Sequence, residues 1–249
     1  MPVACKNELV HIIFRHDVIS KTGRPRKLST IQALNCIFFI CRTGCQWSEL
    51  PCPQGIHFKT VYHRFRTWTR LRVFEDGFYN LVAKYTAQTK LPLVADTSYV
   101  KNVHGRDVLG RNHTDRGRKA KKVSLLSDSK SVPLALAFHQ GNRNDCMTLG
   151  HLLGVAKRKA CCIKEHHVLH ADKGYDTISC RNACKHFGLQ AFIPHKRTDE
   201  SWNDIRYAVE VTFARFDNFR RIILRFDFSI TSFKSFHFFA AACLVAKEI

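Results

Sequence analysis

The chain has 249 residues, enough for one large domain or two small ones with a buried core. Its 40 lysines and arginines outnumber its 20 aspartates and glutamates, so the formal net charge is +20. This imbalance predicts a polyanionic partner, and nucleic acid is the commonest one, with a ribosomal or nonspecifically basic protein as the alternative.

The sequence lacks the features of a membrane or secreted protein. No run of about eighteen apolar residues occurs, so we expect no membrane-spanning helix and no membrane partner. The first residues lack the apolar segment of a secretory signal. Eleven irregularly spaced cysteines indicate free thiols in a reducing compartment rather than a disulfide framework. We therefore expect a cytoplasmic protein, associated with the nucleoid in a bacterium, or a nuclear one if the host is eukaryotic.

Residues 1–90 have the pattern of an all-α domain. A short helix is expected within the first twenty residues. Ser29 suits the N-cap of a second helix over residues 31–42, and Gly44 suits its end. Helical periodicity predicts a third helix over 58–72 and a fourth over 74–89. The pair Leu91-Pro92 then marks the expected domain boundary.

The third predicted helix combines an apolar face with a basic one. Apolar residues at positions 61, 65 and 68 share one face, whereas Arg64, Arg66 and Arg70 lie off it. A basic amphipathic helix that follows a helix and a turn is similar to the second helix of a helix-turn-helix. We expect these three arginines to contact DNA, and the alternative is a core helix whose basic face is solvated.

Two other segments carry weaker signals. The basic stretch at residues 21–27 is compatible with a DNA minor groove, but such a segment is more often a solvated linker. The cysteines and histidines at 161–170 have the ligand types of a zinc site, but their spacing matches neither a zinc finger nor a zinc ribbon.

From residue 91 onward the pattern changes to mixed strands and helices. Strands are predicted at 91–95, 122–126, 132–138, 168–171 and 189–194, and helices near 147–157, 177–187 and 202–223. The polar turn between the second and third strands predicts a hairpin. This order matches a ribonuclease H-like mixed sheet flanked by helices, in which the first and fourth strands are neighbours.

Three carboxylates stand where they can converge. Asp96 ends the first predicted strand, and Asp172 ends the fourth. Glu210 adjoins the buried stripe of the last predicted helix. The alternative role for Glu210 is an ion pair on a solvated face with Arg206, four positions earlier. Such oxygen ligands suit Mg²⁺ or Mn²⁺, and a pair of these ions stabilises the attacking and leaving oxygens in phosphoryl transfer.

These segments resemble a known family, the DDE transposases of insertion sequences, and more narrowly the insertion-sequence five group. Residues 96–119 look like its first acidic block, 171–176 like its second, and 206–236 like its third with the segment that follows. Residues 47–51 and 60–74 are similar to the amino-terminal helical domain of the same group. Three blocks in the right order are far more specific than any one of them.

The resemblance implies cleavage of DNA at the ends of an insertion element and transfer of the freed 3′ hydroxyl to target DNA. Asp96, Asp172 and Glu210 match the catalytic triad of the family and would hold two Mg²⁺ or Mn²⁺ ions. Double-stranded DNA would be the partner, with a homodimer to bring two element ends together. The sequence departs from the family at Val211 and Asp217, where basic residues are usual.

The expected organisation is therefore a helix-turn-helix-like DNA-binding domain at 1–90 and a ribonuclease H-like catalytic domain at 91–249. Candidates for holding the phosphate backbone, besides the three arginines of the third helix, are Arg116, Arg118, Lys119, Lys173, Arg220 and Arg221.

Two alternatives share most of these features. A related metal-dependent DNA endonuclease would have the same triad and would cleave DNA without joining strands. A catalytically decayed or host-adopted DNA-binding protein would bind DNA without cleaving it, and Val211 and Asp217 favour this reading because both remove positive charge near Glu210.

Overall fold

The computed structural model describes residues 1–17, 26–112, 115–160, 163, 167–195, 205 and 207–249. Several predictions lie outside these residues: most of the basic segment at 21–27, the side chains of Cys161, Cys162 and His166, and Arg206.

Helices make up the amino-terminal part: α1 (Val3–His16), α2 (Thr30–Thr43), α3 (Phe58–Arg70) and α4 (Val73–Gln88). Ser29 caps α2 as predicted, because its side chain accepts a hydrogen bond from the Gln32 amide. Its own amide donates to the Gln32 side chain, which completes a capping box. Gly44 ends α2 with a φ of 71°, a conformation that glycine adopts without strain.

A mixed sheet follows, with strands β1 (Leu93–Asn102), β2 (Gly110–Asn112), β3 (Arg118–Asp128), β4 (Pro133–Gln140), β5 (Val168–Ala171), β6 (Gln190–Phe192) and β7 (Leu224–Arg225). The central strand β1 pairs antiparallel with β3 and parallel with β5. On the far sides, β4 pairs antiparallel with β3, and β6 pairs parallel with β5. The order β4-β3-β1-β5-β6 confirms the predicted ribonuclease H-like sheet, including the adjacent first and fourth predicted strands.

Further helices flank the sheet: α5 (Cys146–Val155), α6 (Ile178–His186), α7 (Tyr207–Asp217), α8 (Arg220–Ile223) and α9 (Ile230–Val245). The last of them, α9, packs against the amino-terminal helices. Phe236 of α9 stacks on Phe65 of α3, with ring centroids 4.6 Å apart, and Phe239 lies 5.1 Å from Phe74. Buried residues of both halves thus form one continuous core. The division at residue 90 stays a prediction.

Two predicted element boundaries are wrong. The first strand does not end at Asp96, because residues 96–101 continue to pair with β3, from Asp96 opposite Leu125 onward. The single long helix expected over 202–223 is interrupted between α7 and α8, where Phe219 leaves helical geometry with φ −106° and ψ 83°. After the interruption, Ile222 is buried and Ile223 is exposed.

The structure also describes the state of the cysteines and the length and apolarity of the helices. Each of the nine described cysteines is a free thiol, and six of them are buried, as expected of cysteines that act as small apolar residues. Within the described ranges, no helix combines the length and the apolarity needed to cross a membrane.

Candidate active site

Asp96 and Asp172 directly follow the last paired residues of the two central parallel strands, where Ala95 of β1 stands opposite Ala171 of β5. Asp172 keeps an extended backbone, with φ −65° and ψ 159°. Because in-register residues of parallel strands point to the same face, the two carboxylates are neighbours at the carboxyl-terminal end of this ladder. Both side chains are half-buried. The sheet therefore brings together two of the three predicted catalytic residues.

A hydrogen bond between side chains connects the two acidic segments. Thr97, next to Asp96, has its Oγ1 2.9 Å from the hydroxyl of Tyr175 and 3.0 Å from Oγ of Ser124. Tyr175 ends the short turn after Asp172, and its amide donates to the Asp172 carbonyl at 2.8 Å. Burial raises the pKa of the Tyr175 phenol above its ordinary value, and the charge of Asp96 adds to this. A neutral Tyr175 therefore ties the Asp172 turn to β1.

The carboxylate of Asp96 is also oriented locally. Its Oδ1 accepts a hydrogen bond from the backbone amide of Thr97 at 2.8 Å. This contact restrains the orientation of the Asp96 carboxylate, as suits a ligand that must be held in one position.

Glu210 lies on α7, which packs against β1 and β3. Ala208, Val209, Thr212 and Phe216 form the buried face of this helix, and Glu210 is exposed beside it, as predicted from the helical pattern. In the part of the chain that the structure describes, no three histidine, cysteine, aspartate or glutamate side chains lie close enough to hold a metal ion. The structure thus pairs Asp96 with Asp172 and does not group Glu210 with them.

The chemistry of the pair nevertheless fits a hard divalent cation. Asp96 and Asp172 supply oxygen donors from adjacent strands, and Mg²⁺ characteristically binds through one or two carboxylates and completes its shell with water and substrate phosphates. Asp145, an acidic residue that the sequence analysis did not single out, also lies near this site. Its charge helps to raise the pKa of Tyr175, and it forms an ion pair of 2.7 Å with the buried Lys122. Lys122 thereby neutralises a carboxylate close to the site.

Most of the basic residues predicted to hold DNA lie at the surface. Arg66 and Arg70 are exposed on α3, and Arg220 is exposed at the start of α8. Lys173, next to Asp172, is half-buried. Three more are exposed in and after the turn between β2 and β3: Arg116, Arg118 and Lys119.

Arg64 and Arg221 are engaged inside the protein instead, so their positions argue against the predicted contact with DNA. Arg64 donates from Nη2 to the Leu28 carbonyl at 2.7 Å, and burial lowers the pKa of its guanidinium. Arg221 is 7% exposed and forms an ion pair of 2.8 Å with the equally buried Asp227. Helical periodicity could not separate these two from their exposed neighbours, since their partners lie outside the helices that carry them.

The strand order and the paired carboxylates define a ribonuclease H-like protein. Its acidic site lies at the carboxyl-terminal end of the ladder between the two central parallel strands. Residues 68–242 match the family described as "Transposase DDE domain", and residues 9–78 match "Putative transposase of IS4/5 family". The first match covers well over half of the chain. The chain therefore belongs to the DDE-domain transposase family.

A related protein of Burkholderia cepacia, "Putative transposase for insertion sequence element IS402", is 31% identical over 129 residues. The aligned segment is 49% of this chain and 61% of the relative, so the chain matches less than two thirds of that protein's length.

Two solved structures give weaker likenesses. The Mos1 strand transfer complex is 12% identical, with a TM-score of 0.40 over 92% of this chain and 78% of that one. The catalytic domain of the Mos1 mariner transposase is 6% identical, with a TM-score of 0.32 over 70% of this chain and 91% of that one. These scores are low, and the fold assignment rests on the strand order instead.

Proposed function

We propose that this chain is the transposase of an insertion element. It cleaves DNA at the ends of the element and joins the freed 3′ hydroxyl to target DNA, with Asp96, Asp172 and Glu210 as its catalytic carboxylates. The observation that carries the proposal is the placement of Asp96 and Asp172 directly after the paired residues Ala95 and Ala171, in a chain of the DDE family.

Each residue near the site has a role in this proposal. Asp96 and Asp172 would hold Mg²⁺ or Mn²⁺, and Glu210 would complete the ligand set. Two such ions, when bound, neutralise charge on the phosphate and on the oxygens that attack and leave. Thr97 and Tyr175 position the two acidic segments through their 2.9 Å hydrogen bond. Lys122 limits the negative charge at the site by pairing with Asp145.

Double-stranded DNA is the proposed substrate and partner. Support comes from the net charge of +20 and from the exposed basic residues of α3 and of the β2–β3 turn. A homodimer on DNA is proposed because transposition must bring two element ends together, and a symmetric pair of subunits supplies two equivalent sites.

The test is incubation of the purified chain with a labelled duplex that carries the end of its element, in Mg²⁺, in Mn²⁺ and in EDTA. The proposal predicts metal-dependent cleavage that is lost in Asp172→Asn, together with joined products when target DNA is added. Cleavage without joining would favour the related endonuclease.

A DNA-binding protein without catalysis is the second candidate. Its supporting observation is Asp217, an exposed acidic residue at the end of α7 where the family usually carries a basic one. This candidate predicts that the parent chain binds the duplex and cleaves it in neither metal, and that Asp96→Ala binds as tightly as the parent. That outcome would contradict the proposed enzyme.

A further inference from the structure

A basic cleft lies between α3, the beginning of α4 and the beginning of α9, with a volume of about 730 Å³. Its cations come from distant parts of the chain: Arg66 and Arg70 from α3, Arg72 from the residue before α4, and Lys234 from α9. Hydroxyl groups of α9 and of its N-cap also line the cleft: Ser229, Thr231, Ser232 and Ser235. The cleft thus offers four cationic groups and several hydrogen-bond donors.

Within the described part of the chain, no carboxylate forms an ion pair with the cations of the basic cleft, although the charges of Glu75 and Asp107 act on Lys234 at longer range. Among the ion pairs of the described residues, none involves Arg66, Arg70, Arg72 or Lys234. The carboxylate that lines the cleft, Glu75, is paired with Lys159. Like charges held in one cleft repel each other, and an anionic ligand removes that repulsion.

Lys234 is held in place by the packing of α9. Its neighbour two positions on, Phe236, stacks on Phe65 of α3 at 4.6 Å, which fixes α9 against the helix that carries Arg66 and Arg70. The Lys234 ammonium also lies 5.5 Å from the centre of the Phe138 ring. The side chain is half-buried, so the cost of ordering it on a ligand is reduced.

The basic cleft continues into a second cleft along α3. That second cleft is lined by Lys27 and by Arg26, which forms an ion pair with Asp17 of the same cleft, and it shares His63 and Thr67 with the first. The two together form one groove beside a helix of 13 residues, which spans about 20 Å at 1.5 Å per residue. A groove of that length with cations at both ends matches a polymer of phosphates better than a single anion.

We propose that this groove binds the phosphate backbone of duplex DNA, and that Arg72 and Lys234 belong to the contact surface together with α3. The proposal rests on the proposed function, which makes DNA the substrate. It adds that the DNA-binding surface is composite. The amino-terminal helices supply one part of it, and the final helix of the catalytic half supplies the other.

The first test compares Lys234→Gln with Lys247→Gln, a matched control in which an exposed lysine just beyond the other end of α9 is changed. Binding of the full chain to a labelled duplex of about 30 base pairs is followed by fluorescence anisotropy at several salt concentrations. For Lys234→Gln we expect the slope of log K against log salt to fall in magnitude by about 0.9, the effect of one lost phosphate contact. Lys247→Gln should keep the parent slope, and Lys234→Arg should restore it.

The second test uses Arg72→Gly, which separates DNA contact from folding. Arg72 has a φ of 55°, a conformation that glycine adopts more easily than arginine. The variant should therefore keep the thermal stability of the parent while its salt slope falls by about 0.9. Parent slopes in both Lys234→Gln and Arg72→Gly would overturn the composite groove, and so would binding by the parent chain that does not depend on salt.

Cleavage is measured on the same duplex for the parent and for Asp172→Asn, so that the two proposals can fail separately. Reduced slopes without metal-dependent cleavage would support the groove and overturn the proposed enzyme. Unchanged slopes with cleavage intact would overturn the groove and leave the enzyme standing.

Discussion

The strand pair β1–β5 and the helix α7 position their carboxylates in different ways. In the strand pair, backbone register places Asp96 beside Asp172, and the hydrogen bond between Thr97 and Tyr175 connects the two segments. Glu210 stands exposed on a helix that is held to the sheet by side-chain packing. A cavity of about 180 Å³, lined by residues of β1 and of α7, interrupts that packing.

This difference indicates which part of the site is formed in advance. A hydrogen-bonded ladder fixes the relative position of two residues closely, whereas a helix beside a cavity can shift at a smaller cost in lost contacts. We therefore expect Asp96 and Asp172 to form a fixed pair of ligands, and Glu210 to join them when metal and DNA are bound.

The largest expected effect comes from removing the charges of the site. Asp96→Asn, Asp172→Asn and Glu210→Gln should each lower the rate of metal-dependent cleavage by roughly a thousandfold or more, because charge neutralisation dominates phosphoryl transfer. Asp217→Asn is the matched control for Glu210→Gln, since it changes another exposed carboxylate of α7. Cleavage by Asp96→Asn or Glu210→Gln at a rate within tenfold of the parent would break the assignment.

Acid should weaken the packing next to α7. His237 of α9 lines the cavity between β1 and α7, and burial lowers its pKa to about 4. Asp217 lines the same cavity. Because this pKa lies below the value of about 6.5 in the unfolded chain, the unfolded state binds the extra proton. The contribution of neutral His237 to the free energy of unfolding is therefore complete above pH 6.5. It falls by roughly 3 kcal/mol as the pH is lowered to 4.

Urea unfolding at pH 7 and at pH 4 measures this effect. His237→Gln should reduce the pH dependence of the unfolding free energy by about that amount. His139 continues to contribute in the variant, since burial also lowers its pKa to about 4. Equal pH dependence in parent and variant would show that His237 does not couple protonation to this packing.

A smaller effect is expected where the two acidic segments are joined. Tyr175→Phe removes the hydroxyl that contacts Thr97 and leaves Thr97 its contact with Ser124. We expect a loss of about 1 kcal/mol in the free energy of unfolding, typical of one net hydrogen bond. Tyr207→Phe, at an exposed position of α7, is the control and should change little. Equal unfolding midpoints in urea for the two variants would show that the hydrogen bond between Tyr175 and Thr97 does not stabilise the fold.

The smallest expected effect is an increase in stability and in the salt dependence of DNA binding. Asp217 is the last residue of α7, where a negative charge opposes the helix dipole. Asp217→Lys should stabilise the chain by about 0.5 kcal/mol and increase the magnitude of the salt slope for DNA binding by up to about 0.9. A thermal melt and anisotropy titrations measure the two changes. Lower stability together with an unchanged slope would contradict both expectations.

The sequence predicted those parts of the fold that depend on local patterns. The N-cap at Ser29, the stop at Gly44 and the hairpin of β3 and β4 all follow from residues close together in the chain. The neighbouring placement of Asp96 and Asp172 followed from the order of the elements, because few sheet topologies fit that order.

Features that depend on distant partners were not predicted. The continuation of β1 beyond Asp96 depends on β3, which pairs with it up to Lys101. The burial of Arg221 depends on Asp227, which is near in sequence but lies beyond the end of α8, where helical periodicity does not place it. The fully buried Arg225 similarly pairs with Asp107, more than a hundred residues earlier. A basic residue on a predicted helix therefore indicates a surface contact only when no internal carboxylate or carbonyl can reach it.

The most direct test of a fixed ligand pair is a titration of the DNA-free chain with Mn²⁺, followed by electron paramagnetic resonance of the free ion. We expect one Mn²⁺ site of similar affinity in the parent and in Glu210→Gln, and loss of that site in Asp96→Asn and in Asp172→Asn. Undiminished Mn²⁺ binding by Asp172→Asn would contradict the claim that the two strand carboxylates hold the metal.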